Sequence, residues 1–261
     1  MSHFAVAVLS NEGVDIDEIL APYDESIEVA PYINRTKQQM IDDAKKQQKE
    51  KLEQIEEFKK LGKSVEINDY MQKILDAKTD EDFYKSQVWA GEIYDTDGNE
   101  LSTYNPKSKW DWYEIGGRWS GLLNVKTETG IVQADVARLK DIDFSIDKEE
   151  YKRLIRFWEV AIEGLPVNPD EDPNNFRTFY KKEYYIDRYK NKELYARINA
   201  SFSTYAVVTP DGEWHQKGEM GWFGMSSESG DESLNWDLNF YDKFFKDADP
   251  ETIVTIVDCH I

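Results

Sequence analysis

The chain has 261 residues, with 52 Asp and Glu against 32 Lys and Arg, a formal net charge of −20. So acidic a surface repels phosphate, which excludes general nucleic-acid binding and attachment to anionic membranes. The acid excess either keeps the protein soluble or mimics nucleic acid toward a partner protein with a basic surface. At 40% hydrophobic and 13% aromatic residues, a chain of this length can bury a substantial core, as one large domain or a domain with an insertion. The lone cysteine, Cys259, forms no internal disulfide and fits a reducing cytoplasm. The first nine residues lack the basic region of a signal peptide, and no apolar run approaches the length of a membrane span.

Phe4 to Leu9 reads as a short buried strand closed by a polar turn. A loop follows through Ala21-Pro22-Tyr23-Asp24-Glu25 and Ala30-Pro31-Tyr32. Thr36 and Gln39 form a capping box, opening a helix that runs to about Leu61 and stops at Gly62. Met40, Ile41 and Ala44 make one apolar patch on it, and Leu52, Ile55, Phe58 and Leu61 make another. Lys45 to Lys51 between them is wholly polar, so the helix should be anchored at its ends and solvated in its middle. A second amphipathic helix is expected over about 67–78, and a third begins at Thr79-Asp80-Glu81-Asp82. Residues 34–90 therefore read as a helical insertion projecting from a core domain made of 1–33 and 91–261.

Past residue 91 the pattern becomes that of strands. A hairpin turns at Asp97-Gly98, and Leu122 to Val125 forms a strand after a Trp-rich segment. Asp147 to Glu150 caps a helix whose Tyr151, Leu154, Ile155, Trp158, Ala161 and Ile162 share one face, ended by Gly164 and Pro166. Residues 166–175 are a loop. Residues 176–200 hold seven basic and three acidic residues with interleaved aromatics, whereas 209–261 hold twelve acidic residues and three lysines. Either a helix packs its aromatic face inward and pairs its basic face with the acidic C-terminal third, or this is a local anion-binding surface. A hairpin at Pro210-Asp211-Gly212, a helix from about Leu234 to Phe245 and a last strand over 252–258 complete the chain. The pattern predicts an α+β fold with an antiparallel sheet of ferredoxin-like type. First and last strands would then be antiparallel neighbours, bringing His3 beside His260.

The densest chemistry lies between Trp110 and Gly121, where Trp110, Asp111, Trp112, Arg118 and Trp119 surround Gly116-Gly117. Paired glycines allow positive φ or close backbone approach, and the arginine fork suits carboxylate or phosphate. This segment should pack on the stretch from Trp214 to Gly224. Candidate ligand-binding residues are thus Trp110, Asp111, Trp112, Arg118, Trp119, Trp214 and Trp222. Arg118 is either open to a cleft or paired with Asp111, Glu213 or Glu219. A guanidinium ringed by tryptophans and acids is more often a satisfied packing node, so pairing is expected. His215 and Glu213, on one face of a hairpin strand, are the acid–base candidates, against a merely exposed histidine. His3, Asp258, Cys259 and His260 come close to a metal-ligand set but lack a second spaced pair. No phosphate loop, nucleophile elbow or zinc motif is present, so no cofactor and no metal are called for.

The opening Met1-Ser2-His3-Phe4, the box Leu20 to Glu25, the run Asn105 to Trp119, the segments Pro210 to His215 and Gly221 to Gly224, and the terminal Val257 to Ile261 share a distinctive pattern. Over nearly the whole chain it resembles a widespread group of bacteriophage-encoded proteins of unassigned function. The resemblance implies a phage gene product outside the virion, acting in the host cell cytoplasm. Three functions follow as expectations. The first is a binding protein that counters a host factor such as an antiphage defence system, through a protein partner or by sequestering a small anionic, nucleotide-like ligand. The second is an enzyme acting on a nucleotide or phosphate ester, with His215 and Glu213 as acid–base groups and Arg118 holding the anion. The third is an assembly accessory, with the helical insertion as partner surface or homo-oligomerisation arm.

Overall fold

The computed structural model describes residues 2–220 and 225–261. The chain divides into two compact units, Met1–Glu25 with Lys107–Ile261, and Ser26–Pro106. The first unit opens with β1 (His3–Ser10) and α1 (Ile16–Leu20). The second holds β2 (Tyr32–Arg35), α2 (Lys37–Lys60), α3 (Asp69–Asp76), α4 (Asp80–Gln87), β3 (Ile93–Tyr94) and β4 (Glu100–Ser102). The first then resumes with β5 (Trp112–Ile115), β6 (Leu123–Thr127), β7 (Gly130–Ala134), β8 (Val136–Arg138) and α5 (Lys148–Ala161). It ends with α6 (Lys182–Tyr189), α7 (Lys192–Ala200), β9 (Ala206–Val208), β10 (Trp214–Gln216), α8 (Gly230–Phe244) and β11 (Ile253–His260). The protein is α+β, with open sheets.

The main sheet of the first unit runs β10-β9-β1-β11-β5, with β8 also paired to β11. β1 and β11 are antiparallel neighbours over their whole length, from His3 opposite His260 to Ser10 opposite Ile253. That adjacency is the one the sequence predicts. The hairpin differs from a ferredoxin-like sheet, because its first strand, β9, and not its second, lies parallel beside β1. Alternation along the strands makes two apolar faces. Phe4, Val6, Val8, Val257 and Cys259 face Leu20 and Trp110. Ala7, Leu9, Val254 and Ile256 face Trp236, Phe240, Phe244 and Phe245. The latter four come mostly from α8, which starts at a Ser229–Glu232 capping box several residues earlier than expected.

The segment 176–200 is two helices and not one, broken at Lys190, whose φ is +66°. Tyr195 packs inward against Phe157 and Trp158 of α5. The expected pairing with the acidic C-terminal third is not made. Lys192 instead pairs with Glu159 of α5 at 2.9 Å, and among the described residues no cation of this segment bridges to a carboxylate beyond residue 209. Helix–helix packing sets the partners here, since α7 lies against α5.

In the unit Ser26–Pro106, Thr36 and Gln39 make the capping box of α2, and Thr79 and Asp82 that of α4. This unit takes in more than residues 34–90, because β4 pairs with both β2 and β3 and draws the hairpin in. Glu100 on β4 is buried and accepts from Arg35 at 2.5 Å, which holds its carboxyl below the usual range. In the polar middle of α2, Lys45, Lys46, Lys49 and Glu50 are exposed. Gln48 instead donates to the carbonyls of Ile74, Leu75 and Ala77, tying α3 in place. The first apolar patch is the buried one, with Met40, Ile41 and Ala44; of the second, Leu52 and Leu61 are exposed and Ile55 and Phe58 half-buried.

Cys259 is fully buried, and burial pushes its thiol well above the usual range. A thiol held protonated inside the sheet is inert. The native protein should therefore give no reaction with Ellman's reagent, and one thiol per chain should appear only in denaturant.

Candidate functional site

The site grows from the far edge of β11, which two strands share. Val257 to His260 pair with β5, and Ile253 to Thr255 pair with β8. Where one yields to the other, Gly116 donates to the Ile256 carbonyl, and the Ile256 amide donates to the Asp135 carbonyl, both at 2.8 Å. The chain must turn away from the sheet at this point. Gly116 and Gly117 take φ of +71° and +51° to do so. A Cβ on Gly117 would fall 2.5 Å from the Cβ of Asp258, so the glycine is required by close approach as well as by φ. The turn is pinned from two sides: Asp258 Oδ2 accepts from the Arg118 amide at 3.0 Å, and Asp135 accepts from Gly121 at 2.5 Å and from the Ser120 hydroxyl at 3.0 Å.

Register then places a row of three rings across three strands, because His260 opposes both His3 and Trp112. The two histidine rings meet edge-on at 5.0 Å, and Trp112 stacks on His260 at 5.3 Å with 16° between planes. The next row along holds Asp258 and Glu114. His3 Nδ1 lies 2.9 Å from Asp258 Oδ1, and His260 Nδ1 lies 2.5 Å from Asp111 Oδ1. A carboxylate only accepts, so each imidazole carries a proton on Nδ1. His260 Nε2 is buried with no partner among the described residues. His3 Nε2 likewise has none among the described residues, and His3 borders a cleft.

That cleft has a volume of about 400 Å³ and is lined by His3, Trp112, Glu114, Gly117, Arg118 and Ser120 among others. Trp112 is 43% exposed there. Arg118 is exposed, and among the described residues its guanidinium has no ion pair. The expected pairing is not made: Glu213 adjoins β10, at the opposite edge of the main sheet from β5, and Asp111 and Glu219 are engaged with other partners. Asp111 holds His260, Glu219 holds Lys109 at 3.1 Å, and Glu213 lies 3.7 Å from His215. Arg118 is therefore open to the cleft.

The other candidates are dispersed. Trp110 is buried beneath the sheet, its indole donating to the Leu20 carbonyl at 3.2 Å. Trp214 packs in the same cluster, against Tyr23 at 5.0 Å. The Trp110 and Trp214 stretches thus meet as expected, but as core. Trp119 lies against the opposite face of the sheet. Trp222, with Gly221, Phe223 and Gly224, falls outside the described residues. Glu213, just before β10, does come to the same side as His215, whose ring lies 5.5 Å from Phe244. Neither borders the Arg118 cleft, so the structure does not assemble Arg118, His215 and Glu213 into one site. A larger cavity of about 530 Å³ lies elsewhere, lined by Asp143, Asp237 and Asp242 against Lys126 and Arg197, a poor balance for an anion.

Sequence reasoning missed Ser120 and Glu114 in the cleft and the anchoring role of Asp258. Strand pairing was the signal available for Asp258, since register sets it opposite Glu114 and one row from the histidines. Among the described residues no three His, Cys, Asp or Glu side chains are grouped to hold a metal ion. Comparison with protein-family models, curated proteins and solved structures finds no match for the chain. No helix among the described residues is long and apolar enough to cross a membrane.

Gly117→Ala and Gly212→Ala separate the two demands on glycine. Both positions have positive φ, but a Cβ at Gly212 meets nothing within 4 Å. Gly212→Ala should cost only backbone strain, about 1 kcal/mol. Gly117→Ala should cost clearly more in urea unfolding, on the order of 1–3 kcal/mol beyond that, because Asp258 has to move.

Proposed function

We propose that this chain is a bacteriophage-encoded protein that counters a host factor, an antiphage defence system, by sequestering a nucleotide-like ligand in the cleft of Trp112, Arg118 and His3. The observation that carries the ligand reading is Arg118: an exposed guanidinium with no ion pair among the described residues, beside the 43% exposed Trp112, in a protein with 52 carboxylates available to pair it. The cleft of about 400 Å³ is within the size range of small-molecule sites. Trp112 offers a stacking wall for a base, and Arg118 a two-pronged donor for phosphate. Glu114 makes the match more specific. A second anion in the cleft disfavours a bare phosphate and favours a ligand that also brings donors, as ribose hydroxyls and base amino groups do. The phage setting and the host cytoplasm rest on the motifs quoted above, and the net charge of −20 supports the variant in which the partner is a protein with a basic surface.

A second reading, an enzyme acting on a nucleotide or phosphate ester, is favoured by the His3–Asp258 pair. There a carboxylate orients an imidazole whose Nε2 is free to take a proton from an attacking group. In that reading His3, and not His215, is the acid–base residue. Exposure of Leu52 at 48% and Leu61 at 62% supports α2 as an oligomerisation surface.

Calorimetric titration with AMP, GMP and inorganic phosphate tests the ligand reading. A nucleotide should bind and phosphate alone should not. Arg118→Ala should weaken binding at least about tenfold, equivalent to about 1.4 kcal/mol, with an unchanged melting temperature. A variant that binds as well as the parent, or one that unfolds, would contradict an open ligand-holding role. Turnover of the bound nucleotide that is lost in His3→Gln would select the enzymatic reading.

A further inference from the structure

His3 also borders a second cavity, about 270 Å³ in volume. Its walls include Trp119, Ser203, Tyr205, Lys217 and Asp237. The two cavities therefore adjoin through one histidine, and each has its own tryptophan, Trp112 in the first and Trp119 in the second. The second is also chemically equipped. Lys217 and Asp237 form an ion pair at 2.6 Å, with side chains only 15% and 10% exposed. Asp237 also accepts from Ser203 at 3.1 Å. An ammonium has three donors, and Lys217 gives one to Asp237, leaving others for a guest. The Tyr205 hydroxyl donates to the Gly218 carbonyl and contacts Ser226, and burial raises its pKa, so it stands as a neutral wall.

We propose that the two cavities form one site for a ligand with two ring-bearing ends joined by an anionic linker, a phosphodiester-linked dinucleotide. This rests on the nucleotide reading of the first cleft and extends it. One base lies on Trp112, and the other enters the cavity of Trp119, Lys217 and Asp237. The linker passes His3, whose Nδ1 is committed to Asp258 and whose Nε2 remains for the ligand. A mononucleotide fills only the first cleft, and the second cavity, with its buried ion pair and spare donors, then has no occupant. A ligand reaching both gains contacts already paid for in orientation, since a second ring on the same molecule binds at high effective concentration.

The test compares the dinucleotides ApA and GpG with AMP and GMP on the intact protein. At least one dinucleotide should bind tenfold or more tightly than its mononucleotide. Ser203→Leu, which fills the second cavity from a loop and leaves the first untouched, should bring the dinucleotide down to the mononucleotide's affinity and leave the latter unchanged. A measurement free of any variant runs alongside: the Trp119 indole resonance should shift with the dinucleotide and stay in place with the mononucleotide. Equal affinities for the two ligand lengths, or a Trp119 resonance indifferent to both, would overturn the two-cavity site while leaving the single-cleft reading intact. Absence of binding by mononucleotides and dinucleotides alike would overturn both.

Discussion

A buried carboxylate in the middle of a sheet has to be satisfied locally, and the arrangement around Asp258 follows from that constraint. Asp258 is 2% exposed. One of its oxygens takes the Nδ1 proton of His3 from β1, and the other takes the amide of Arg118 from the turn after β5. A single side chain thus ties together an early strand, a late strand and the glycine turn between them. Leaving such an acceptor unpaired would cost about 1–3 kcal/mol, so the turn is held at the position that aims Arg118 outward. The same contact fixes the tautomer and orientation of His3. Structure and site are one network here: the groups that close the sheet edge also line the cleft.

Local signals in the sequence were sufficient for much of the scaffold. Thr36–Gln39 and Thr79–Asp82 predict helix starts that the structure keeps, and the apolar runs at both ends of the chain pair as expected. What the sequence concealed is tertiary. β5 lies inside the Trp-rich motif, where a strand of exposed and half-exposed residues carries no clean alternation. Ser229 starts α8 ahead of the helix start read at about Leu234, because capping boxes and loops draw on the same residues. Lys190 breaks a helical segment with a positive φ that no propensity would place there.

The tryptophans illustrate how far clustering in sequence can mislead about clustering in space. Trp110, Trp112 and Trp119 lie within ten residues, yet one is core beneath the sheet, one is stacked at its exposed edge and one packs on the opposite face. Strand alternation separates the first from the site, since Trp110 points toward Leu20, and the glycine turn carries the third to a second cavity bordered by His3. Arg118 is the informative member of the motif for the opposite reason. Composition makes pairing the natural expectation in so acidic a chain, but Asp111 is taken by His260, and Glu213 adjoins the strand at the far edge of the sheet. An unpaired guanidinium is then a consequence of who else is adjacent, which only register and packing decide.

On the proposed function, a ligand lands on the surface formed by Trp112, Arg118 and Ser120. Proton–nitrogen correlation spectra recorded through a titration with a panel of nucleotides test it without presupposing which nucleotide binds. Saturable shifts should concentrate at the Trp112 indole, the Arg118 amide and side chain, and Ser120, with His215 and Glu213 unmoved. Shifts centred on the β10 hairpin, or no saturable shift anywhere at millimolar ligand, would contradict it.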